Sequence, residues 1–377
     1  MALHRTLKPI VLKEFRQIRR DPTSLGMLLV LPAALIVFVG YALNFDVKHV
    51  PLLIMDQSRT SESREYLTMF QHSEYFTPLA AVEHYEEIEE AFLHGRAKIA
   101  LVLPPDFGRR LMAGRGGRVQ ILVDGSDANT GGQAMGYAVR MTMDFSSRIL
   151  LEGLRRTGRN VYIPIDLQPR IWYNPDMVTS KFLVPGLIGF IIMLTAVIST
   201  SLTVVREKER GTMEQIMVSP LRPIEVILGK TLPYMAIALV SATIILILGY
   251  LLFDIQIKGS ILLLYGGIFV LILGSLGQGL LISSVTDSQQ VAFMASIFTT
   301  LLPSFLLSGF VFPVASMPIV LQILSHLAVV KYFLVVVRGV MLKGVGFGAV
   351  WEQFLFMAIF AVVTLAISVK RLQKRTL

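Results

Sequence analysis

Two short groupings of residues could do chemistry, but neither fits the template for that chemistry. Asp124, Asp127 and Asn129 form a carboxylate-rich turn (DGSDAN) that could attract calcium. A calcium loop needs further acidic ligands and a distal glutamate, so turn and helix-capping chemistry explains these residues better. The GKT tripeptide at 229–231 ends like a phosphate-binding loop, yet that template requires glycine at the position of Ile224. The tripeptide also lies within an apolar segment rather than after a soluble strand.

The histidines and the absence of cysteine also argue against a catalytic or metal-binding site. His72, His84 and His94 are scattered, and the last two are too far apart in sequence to share one helical face. Surface histidines are the better interpretation. Because the chain has no cysteine, a thiolate nucleophile, a disulfide or a cysteine-based metal site is excluded. We therefore predict no catalytic, cofactor-binding or metal-binding residues, and a chain that is not itself an enzyme.

The composition is that of a membrane protein. Hydrophobic residues make up 54% of the 377 residues, charged residues make up 16%, and the mean hydropathy is +0.64. A soluble domain carries about 25% charged residues, so most of this chain should lie in a bilayer. A cytosolic enzyme and a disordered scaffold are excluded. The net charge of +9 does not indicate nucleic acid, because the basic excess lies beside apolar segments, where it sets membrane orientation.

The apolar segments predict six membrane spans, since a span needs about 20 mainly apolar residues. They are residues 25–45, 182–205, 226–253, 260–285, 290–312 and 348–369. A seventh candidate within residues 313–347 carries His326, Lys331 and Arg338, which would be costly at the bilayer centre. We interpret it as an outer re-entrant hairpin, a pair of helices that enters the outer face without crossing.

Charge asymmetry predicts the orientation. The short segments assigned to the cytoplasm contain 14 lysines and arginines, whereas the short outer segments contain four. Both termini should therefore be cytoplasmic. Residues 1–24 form an amphipathic helix expected to lie in the inner interface, and residues 370–377 form a cytoplasmic tail. The apolar face of the first helix comprises Leu7, Ile10, Val11, Phe15 and Ile18.

Residues 46–181 are too long and too polar to be a loop. Apolar runs predict strands at 50–55, 97–103 and 119–123, and helical patterns cover 83–94 and 106–112. A long helix capped by Asp127 or Asn129 should run towards Arg156. The predicted fold class is therefore an α-helical polytopic membrane protein with six transmembrane helices. It carries an inserted α/β extracytoplasmic domain and the outer re-entrant hairpin.

The loop at 206–225, between the second and third spans, combines dense charge with an internal helix break. Charges crowd residues 206–210, Gly211 should end the helix, and Thr212 could cap a new short helix. One interpretation is an ordinary positively charged anchor. The other is a rigid helix, held crosswise between two spans, that acts as a lever.

Several motifs carry a resemblance that covers essentially the whole chain. They are VDGSDAN at 123–129, WYNP at 172–175, VREKERGTMEQIMVSPL at 205–221, GLLISSVTDSQQ at 279–290 and LSGFVFPVASMP at 307–318. With one span, a large outer domain and five further spans, the chain resembles the permease subunits of ABC-2-type bacterial exporters. More narrowly, it resembles their multidrug efflux half-permeases.

The resemblance implies that the loop at 206–225 is a coupling helix that docks on a separate ATPase, which would hold ATP and magnesium. The implied coupling residues are Arg206, Glu207, Lys208, Glu209, Arg210, Gly211, Thr212 and Glu214. It also implies residence in the bacterial inner membrane. Because six spans are few for an enclosed pathway, a second permease copy or a paralogous permease is the expected partner. A periplasmic adaptor is a further partner left open, and no nucleic acid partner is expected.

Two alternative functions are an ion-gradient-driven secondary transporter and a membrane-anchored ligand sensor. An ion-gradient-driven secondary transporter needs ionisable groups deep in its spans, whereas Lys230 and Glu352 lie near span ends and only Gln278 is polar deep within the fourth span. A membrane-anchored ligand sensor rarely needs six spans and would need a cytoplasmic output domain.

Small and hydroxylated residues in the spans bear on the pathway of the transported compound and on how subunits pack together. Hydroxyl side chains in the spans would suit an amphipathic or lipid-like cargo: Thr195, Ser199, Thr200, Thr299, Thr300 and Ser304. Span glycines could pack two copies together or form notches within one subunit: Gly186, Gly189, Gly274, Gly277 and Gly279.

Overall fold

The structure, a computed structural model, describes residues 2–42, 47–156, 172–174, 178–212 and 223–374. The chain divides into two compact units. A helical unit comprises Met1–Asn44 and Arg170–Leu377, and an inserted unit comprises Phe45–Pro169. The inserted unit lies within the predicted insertion apart from its first residue.

The chain begins with an amphipathic helix, α1 (Ala2–Arg20), followed by a short helix, α2 (Pro22–Leu25). A π-helical turn (Gly26–Val30) then leads into α3 (Leu31–Ala42). Together the π-helical turn and α3 form one apolar stretch, Gly26–Ala42. The predicted first span, 25–45, includes this stretch, and its residues 43–45 lie outside the described part of the chain.

The inserted unit contains a four-stranded sheet in the order β2-β1-β3-β4. Its strands are β1 (Val50–Asp56), β2 (Phe76–Ala81), β3 (Ile99–Leu103) and β4 (Gln120–Val123). Its helices are α4 (Ser61–Gln71), α5 (Tyr85–Leu93), α6 (Phe107–Met112) and α7 (Ala128–Arg156). Strand β1 pairs in parallel with β2 and β3, while β4 pairs antiparallel with β3.

Helices cover both faces of this sheet. Because side chains alternate along a strand, neighbouring residues of β1 face different cores. In β1, Leu52 and Ile54 belong to a core shared with α4, α6 and α7. Leu53 and Met55 belong to a second core shared with α5. The α/β prediction is thus confirmed at the level of a small covered sheet.

Sequence reasoning missed strand β2. Its sequence, FTPLAA, contains Pro78, and most of its residues are exposed or half-buried. Proline occurs at sheet edges because it cannot donate a ladder hydrogen bond, and β2 lies at the edge of this sheet. Neither an apolar run nor a strict alternation was therefore available as a signal.

Five helices in the described part of the chain are long and apolar enough to cross a membrane. They are α8 (Thr179–Glu209), α9 (Pro223–Phe253), α10 (Ile261–Val285), α11 (Gln289–Leu306) and, after two shorter helices, α14 (Trp351–Lys374). The most apolar stretch of α8 is 94% buried, whereas the corresponding stretches of α11 and α14 are each 22% buried. Helix α8 is therefore the centre of the bundle, and α11 and α14 expose apolar faces.

The two shorter helices form the predicted hairpin region. Helix α12 (Ile319–Leu324) and a 3-10 turn are followed by α13 (Val329–Arg338) and a π-helical turn, with a bend of 83° between the two halves. The helix before it ends earlier than predicted. Residues 307–312 do not continue α11, because the chain turns at Gly309, which has a φ of +81°. That left-handed conformation suits glycine and ends a helix.

Candidate functional site

The site is the end of the bundle where Glu209 closes α8, Pro223 opens α9, Val285 closes α10 and Gln289 opens α11, hereafter the charged end. Helix α8 ends as predicted at Gly211, which has a φ of +69°. The Gly211 N–H donates to the Lys208 carbonyl at 3.0 Å, and the Arg210 N–H donates to the Arg206 carbonyl at 3.1 Å. A left-handed glycine that follows such bonds is a common way to end a helix.

Three charged side chains are buried together at the charged end. Glu14 of α1 is 1% exposed, Glu207 of α8 is 5% exposed and Lys230 of α9 is 4% exposed. The Lys230 ammonium forms an ion pair with Glu207 and lies 4.0 Å from a Glu14 carboxylate oxygen. Burying charge is costly unless it is paired. The three residues, hereafter the buried triad, therefore connect three helices.

Lys13 closes the buried triad from its exposed side. Its ammonium lies 3.1 Å from Glu207 Oε1 and 3.0 Å from Glu14 Oε1. Partial burial acts to lower the pKa of Lys13, but attraction to Glu207 and Glu14 outweighs it, so the pKa is raised above its usual value. The lysine therefore stays charged and neutralises part of the excess negative charge of the triad.

The GKT tripeptide now has a structural explanation. It lies within α9, and a Cβ on Gly229 would come within 2.5 Å of Ile10 Cγ2. Glycine at this position therefore allows α1 to pack closely against α9. Lys230 belongs to the buried triad, and the Thr231 hydroxyl donates to the Ile227 carbonyl at 2.7 Å. These roles are packing and charge pairing inside a helix.

Further polar bonds connect the end of α8 to its neighbours. The Arg206 guanidinium lies 2.7 Å from Asp21, at the α1–α2 junction, and donates to Gln289 Oε1 at 3.2 Å. The Lys208 ammonium donates to the Thr286 carbonyl at 2.9 Å. Glu209 accepts from the backbone N–H of Gln289 at 2.8 Å. The end of α8 is thus connected to the segment that joins α10 and α11.

The structure divides the predicted coupling residues into two groups. Arg206, Glu207 and Lys208 are buried or half-buried and face neighbouring helices. The residues that follow are exposed: Glu209, Arg210, Gly211 and Thr212. Glu214 and most of the predicted short helix lie outside the described residues. A binding partner would therefore meet the second group, while the first group connects that surface to the bundle.

Sequence reasoning missed the buried triad. It treated Lys230 as a residue near a span end and did not consider Glu14. A signal for Glu14 was present, because an acid at this position lies on the same helical face as Leu7, Val11 and Ile18. On the predicted apolar face of α1, Ile18 is buried and Phe15 is 39% exposed, whereas Glu14, which the prediction left out of that face, is buried.

In the hairpin region, Arg338 is the most connected of the three residues that the sequence singled out. Its guanidinium donates at 3.3 Å to the carbonyls of Phe182, Gly309 and Phe310, and its Cζ lies 3.8 Å from the centre of the Phe182 ring. These contacts join α13 to the start of α8 and to the turn after α11.

The other two hairpin residues have local bonds. Lys331 donates to the Ser325 hydroxyl at 2.8 Å, whereas His326 is exposed, with its Nδ1 2.9 Å from the Gln322 carbonyl. Both bonds stay within the hairpin region, so neither residue connects it to the long helices.

The hydroxyl side chains expected along a pathway are mostly enclosed by helix packing. Only Thr299 is exposed. The buried ones are Thr195, Ser199, Thr200, Thr300 and Ser304. The Thr195 hydroxyl, for example, donates to the Ile191 carbonyl of its own helix at 2.8 Å. Five of these six hydroxyl side chains are therefore enclosed within this subunit rather than exposed on its surface.

Glycines in the spans form notches within the subunit, one of the two interpretations left open. A Cβ on Gly279 would lie 2.7 Å from the Val197 carbonyl oxygen, and a Cβ on Gly186 would lie 2.6 Å from a Leu334 methyl carbon. Both glycines therefore face other helices of the same chain. Close helix packing of this kind is the usual role of small residues in membrane helices.

The carboxylate turn of the inserted unit has the capping role expected from sequence. Asp127 accepts from the N–H groups of Asn129 and Thr130 at 3.1 and 3.2 Å, at the start of α7. Asp124 lies 2.6 Å from the Lys98 ammonium, and hydrogen bonds from Lys98 and Ser126 hold the pKa of Asp124 below its usual value. Among the described residues, no group of three or more acidic or histidine side chains could hold a metal ion.

Comparison with known proteins identifies the chain's relatives. Residues 22–370 match the family model described as ABC-2 family transporter protein. The Escherichia coli protein named "Probable multidrug ABC transporter permease YbhR" is 30% identical over 91% of this chain and 92% of its own length. Its counterpart YbhS, with the same description, is 28% identical over 90% of this chain and 89% of its own length.

A third relative extends the comparison. The Escherichia coli protein "Inner membrane transport permease YhhJ" is 25% identical over 86% of this chain and 85% of its own length. The family match begins after α1 and covers the inserted sheet, the apolar helices through most of α14, and the hairpin region. This chain belongs to the ABC-2 family of transporter proteins, as a multi-pass membrane permease.

Proposed function

We propose that the chain is the transmembrane subunit of an ATP-driven exporter and that a separate ATPase docks on the charged end. The family and the permease names of the relatives support a transport role. The observation that carries the docking site is the exposed surface of Glu209, Arg210, Gly211 and Thr212, held on the end of the most buried helix. ATP and magnesium would bind to the ATPase.

The contacts at the end of α8 would transmit a displacement of the exposed surface to neighbouring helices. A push on Glu209 and Arg210 reaches Glu207 within one helical turn, and the buried triad carries it to α1 and α9. Arg206 and Glu209 carry it to Gln289 at the start of α11. A displacement at this surface therefore acts on four helices together rather than on α8 alone.

The proposed orientation places the charged end and both termini in the cytoplasm of a bacterial cell, with the chain in the inner membrane. The asymmetry of lysine and arginine between the short segments supports it. The inserted α/β unit and the hairpin region are then on the outer side. The bend of 83° and the shortness of α12 and α13 support a hairpin that enters the membrane without crossing it.

We further propose that two permeases, either two copies or this chain and a paralogue, enclose the pathway. The exposed apolar faces of α11 and α14 support an assembly in which another subunit or lipid covers them. The inserted unit is the proposed contact for a periplasmic adaptor. The cargo is a hydrophobic or amphipathic compound, in line with the multidrug descriptions of YbhR and YbhS.

The docking proposal is tested by Glu209→Ala combined with Arg210→Ala. Removing one partner of a charge pair at an interface costs about 2–5 kcal/mol, so ATPase binding should weaken at least tenfold. The matched control is Glu90→Ala with Arg96→Ala, which removes an exposed glutamate–arginine pair in the inserted unit. ATPase binding and transport are measured in reconstituted vesicles with equal amounts of inserted protein.

Uncoupling of ATP hydrolysis from transport can also be tested with a substitution that does not change the charge. Gly211→Pro cannot keep a φ of +69°, because proline is fixed near −65°. The exposed surface would therefore be displaced, and ATP hydrolysis should no longer drive transport. If both the double variant and Gly211→Pro transport fully, the docking proposal is contradicted, and the loop is an ordinary positively charged anchor.

A further inference from the structure

The two edges of the sheet in the inserted unit differ in how well they are protected. Edge strand β2 contains Pro78, which has no backbone N–H to donate. The opposite edge strand, β4, has the sequence QILV, with neither a proline nor a charged residue. Natural proteins protect strand edges with prolines and charges, because an unpaired edge pairs readily with another chain. The β4 edge therefore has the properties of a strand that accepts a partner.

The register of β4 shows which of its backbone groups point outwards. The Asp124 N–H donates to the Lys98 carbonyl at 3.0 Å, so Asp124 bonds on the side of β3. In an antiparallel pair, hydrogen-bonded and non-bonded positions alternate. The N–H and C=O groups of Ile121 and Val123 therefore point away from β3, towards the outer edge. In the described part of the chain, no strand pairs with that edge.

A groove of about 590 Å³ lies between β4 and α5. Ile88 and Leu122 form an apolar part of its wall, and both belong to the core beneath α5. Tyr85 and Leu93, also in the wall, are 47% and 79% exposed. The Tyr85 hydroxyl donates to Gln120 Oε1 at 2.7 Å, which joins the first residue of α5 to the first residue of β4. A strand added to β4 would place alternate side chains in this groove.

The groove is acidic on the side of α5, a helix with the sequence YEEIEEAFL. Glu87 accepts from the His84 N–H at the start of this helix, and Glu90 pairs with Arg96. Glu89 lines the groove, is exposed and forms no ion pair with any residue that the structure describes. A second copy paired edge to edge would bring two acidic grooves together, whereas a basic partner would balance the charge.

We propose that the β4 edge and its groove bind an extended, basic segment of a partner protein, which adds to the sheet as a fifth strand. Ile121 and Val123 would bond its backbone. One of its apolar side chains would pack on Ile88 and Leu122, and a lysine or arginine would reach Glu89. Strand addition gains affinity from main-chain hydrogen bonds and specificity from pockets for alternate side chains. The inference specifies how the proposed periplasmic adaptor would bind, and it rests on that proposal only for the identity of the partner.

The test measures binding of a fluorescein-labelled peptide, TKTVTKT, to the purified full-length chain by fluorescence polarisation. In an extended conformation, the valine and the two lysines share one face of the peptide. The sequence reads the same in both directions, so either strand orientation places the valine between two lysines. We expect saturable binding, and the charge-reversed peptide TETVTET should bind about fivefold more weakly.

Backbone methylation of the peptide tests strand addition with an unaltered protein. The N–H groups of an extended peptide point alternately to its two edges. N-methylation of the valine blocks one edge, and N-methylation of the two neighbouring threonines blocks the other. Only one edge can pair with β4, so one methylated peptide should bind about tenfold more weakly and the other should stay within about twofold of the parent.

Two pairs of protein variants locate the site. Glu89→Gln should weaken binding about two- to fivefold, the factor for ~0.4–1 kcal/mol from an exposed ion pair. Its control, Glu86→Gln, removes the same charge from an exposed position of α5 that does not line the groove, and should leave binding unchanged. Val123→Pro removes an outward donor but no hydrogen bond to β3, and should weaken binding about fivefold. Val123→Ala keeps that donor and should have a smaller effect.

The inference is overturned if TKTVTKT does not bind, if the two methylated peptides bind equally, or if Glu89→Gln and Glu86→Gln have the same effect. A dimer of the purified chain that Val123→Pro dissociates would show that β4 pairs with a second copy, and would also contradict it. None of these measurements involves ATP hydrolysis or transport. A failure here is therefore distinct from a failure of the proposed exporter function.

Discussion

Lys230→Met tests whether the buried triad holds the charged end together. Methionine keeps an unbranched side chain of comparable reach but removes the ammonium group. The variant leaves the carboxylates of Glu14 and Glu207 inside the protein, at 1% and 5% exposure. The remaining positive partner is Lys13, whose side chain is 50% exposed. The variant therefore keeps the packing volume and leaves an uncompensated buried charge.

The expected loss in the free energy of unfolding of Lys230→Met follows from the positions of its charged neighbours. Removing one partner of a buried ion pair costs about 3–5 kcal/mol, because the other partner stays buried without it. Lys13 still lies 3.1 Å from Glu207 and 3.0 Å from Glu14, so we expect the lower end, about 3 kcal/mol. Lys13→Met removes a half-exposed partner and should cost no more than about 1 kcal/mol.

The assay is thermal unfolding of the purified chain in one detergent, followed by the loss of helical circular dichroism. The wild type should unfold at the highest temperature, Lys13→Met slightly below it and Lys230→Met clearly below both. A triple variant with Lys230→Met, Glu14→Gln and Glu207→Gln should recover much of the loss, because neutral amides are cheaper to bury than carboxylates.

Two results would refute the reasoning. If Lys230→Met unfolds at the same temperature as Lys13→Met, burial of the lysine contributes nothing. If the triple variant is less stable than Lys230→Met alone, the loss does not come from uncompensated carboxylates. In either case the charged end is held by apolar packing rather than by the buried triad.

Three further predictions concern topology and packing. In this cysteine-free chain, an impermeant thiol reagent applied to intact cells should label Ser61→Cys but not Gln373→Cys, and labelling of the second would contradict the cytoplasmic C-terminus. Met317→Cys and Lys343→Cys should both react from outside, whereas reaction of only one would mean that the hairpin region crosses the membrane. Gly279→Ala should cost about 1–3 kcal/mol through overpacking, visible as earlier thermal unfolding, and an unchanged unfolding temperature would show that α8 and α10 separate easily.

The glycine prediction has a matched control in the same helix. A Cβ on Gly266 would lie 3.6 Å from the Phe354 ring, an ordinary contact. Gly266→Ala should therefore be neutral or stabilising by up to ~1 kcal/mol through helix propensity. Equal losses for the two substitutions would show that both glycines are needed for another reason.

Sequence reasoning succeeded where one residue type has one physical use. Gly211 was expected to end a helix and does so with a positive φ, and of the two cap candidates, Asp127 and Asn129, it is Asp127 that caps α7. It failed where a property depends on distant neighbours. Lys230 has an apolar sequence environment, and its carboxylate partners come from α1 and α8, so no local pattern could reveal the pairing.

Helix lengths show a second limit. Apolar composition placed the end of the fifth span at residue 312, but the helix ends at Leu306. Hydropathy measures the preference of side chains for lipid and says little about backbone conformation. The turn at Gly309 is stabilised by Arg338, which bonds its carbonyl from α13. That donor lies far along the chain, so a window along the sequence could not detect it.

The contacts of Arg338 constrain how the chain can change shape. One of its hydrogen bonds and its stacking on Phe182 fix α13 to the start of α8, and its other two hydrogen bonds fix α13 to the turn after α11. The buried triad fixes the other end of α8. Movement of the hairpin region away from the start of α8 must break the hydrogen bond to the Phe182 carbonyl and separate the guanidinium from the Phe182 ring. Movement together with α8 breaks neither contact. A rigid-body tilt that keeps α8 and α13 together therefore preserves the Phe182 contacts, and it links a displacement of the charged end to the hairpin region at the other end of α8 without a flexible joint.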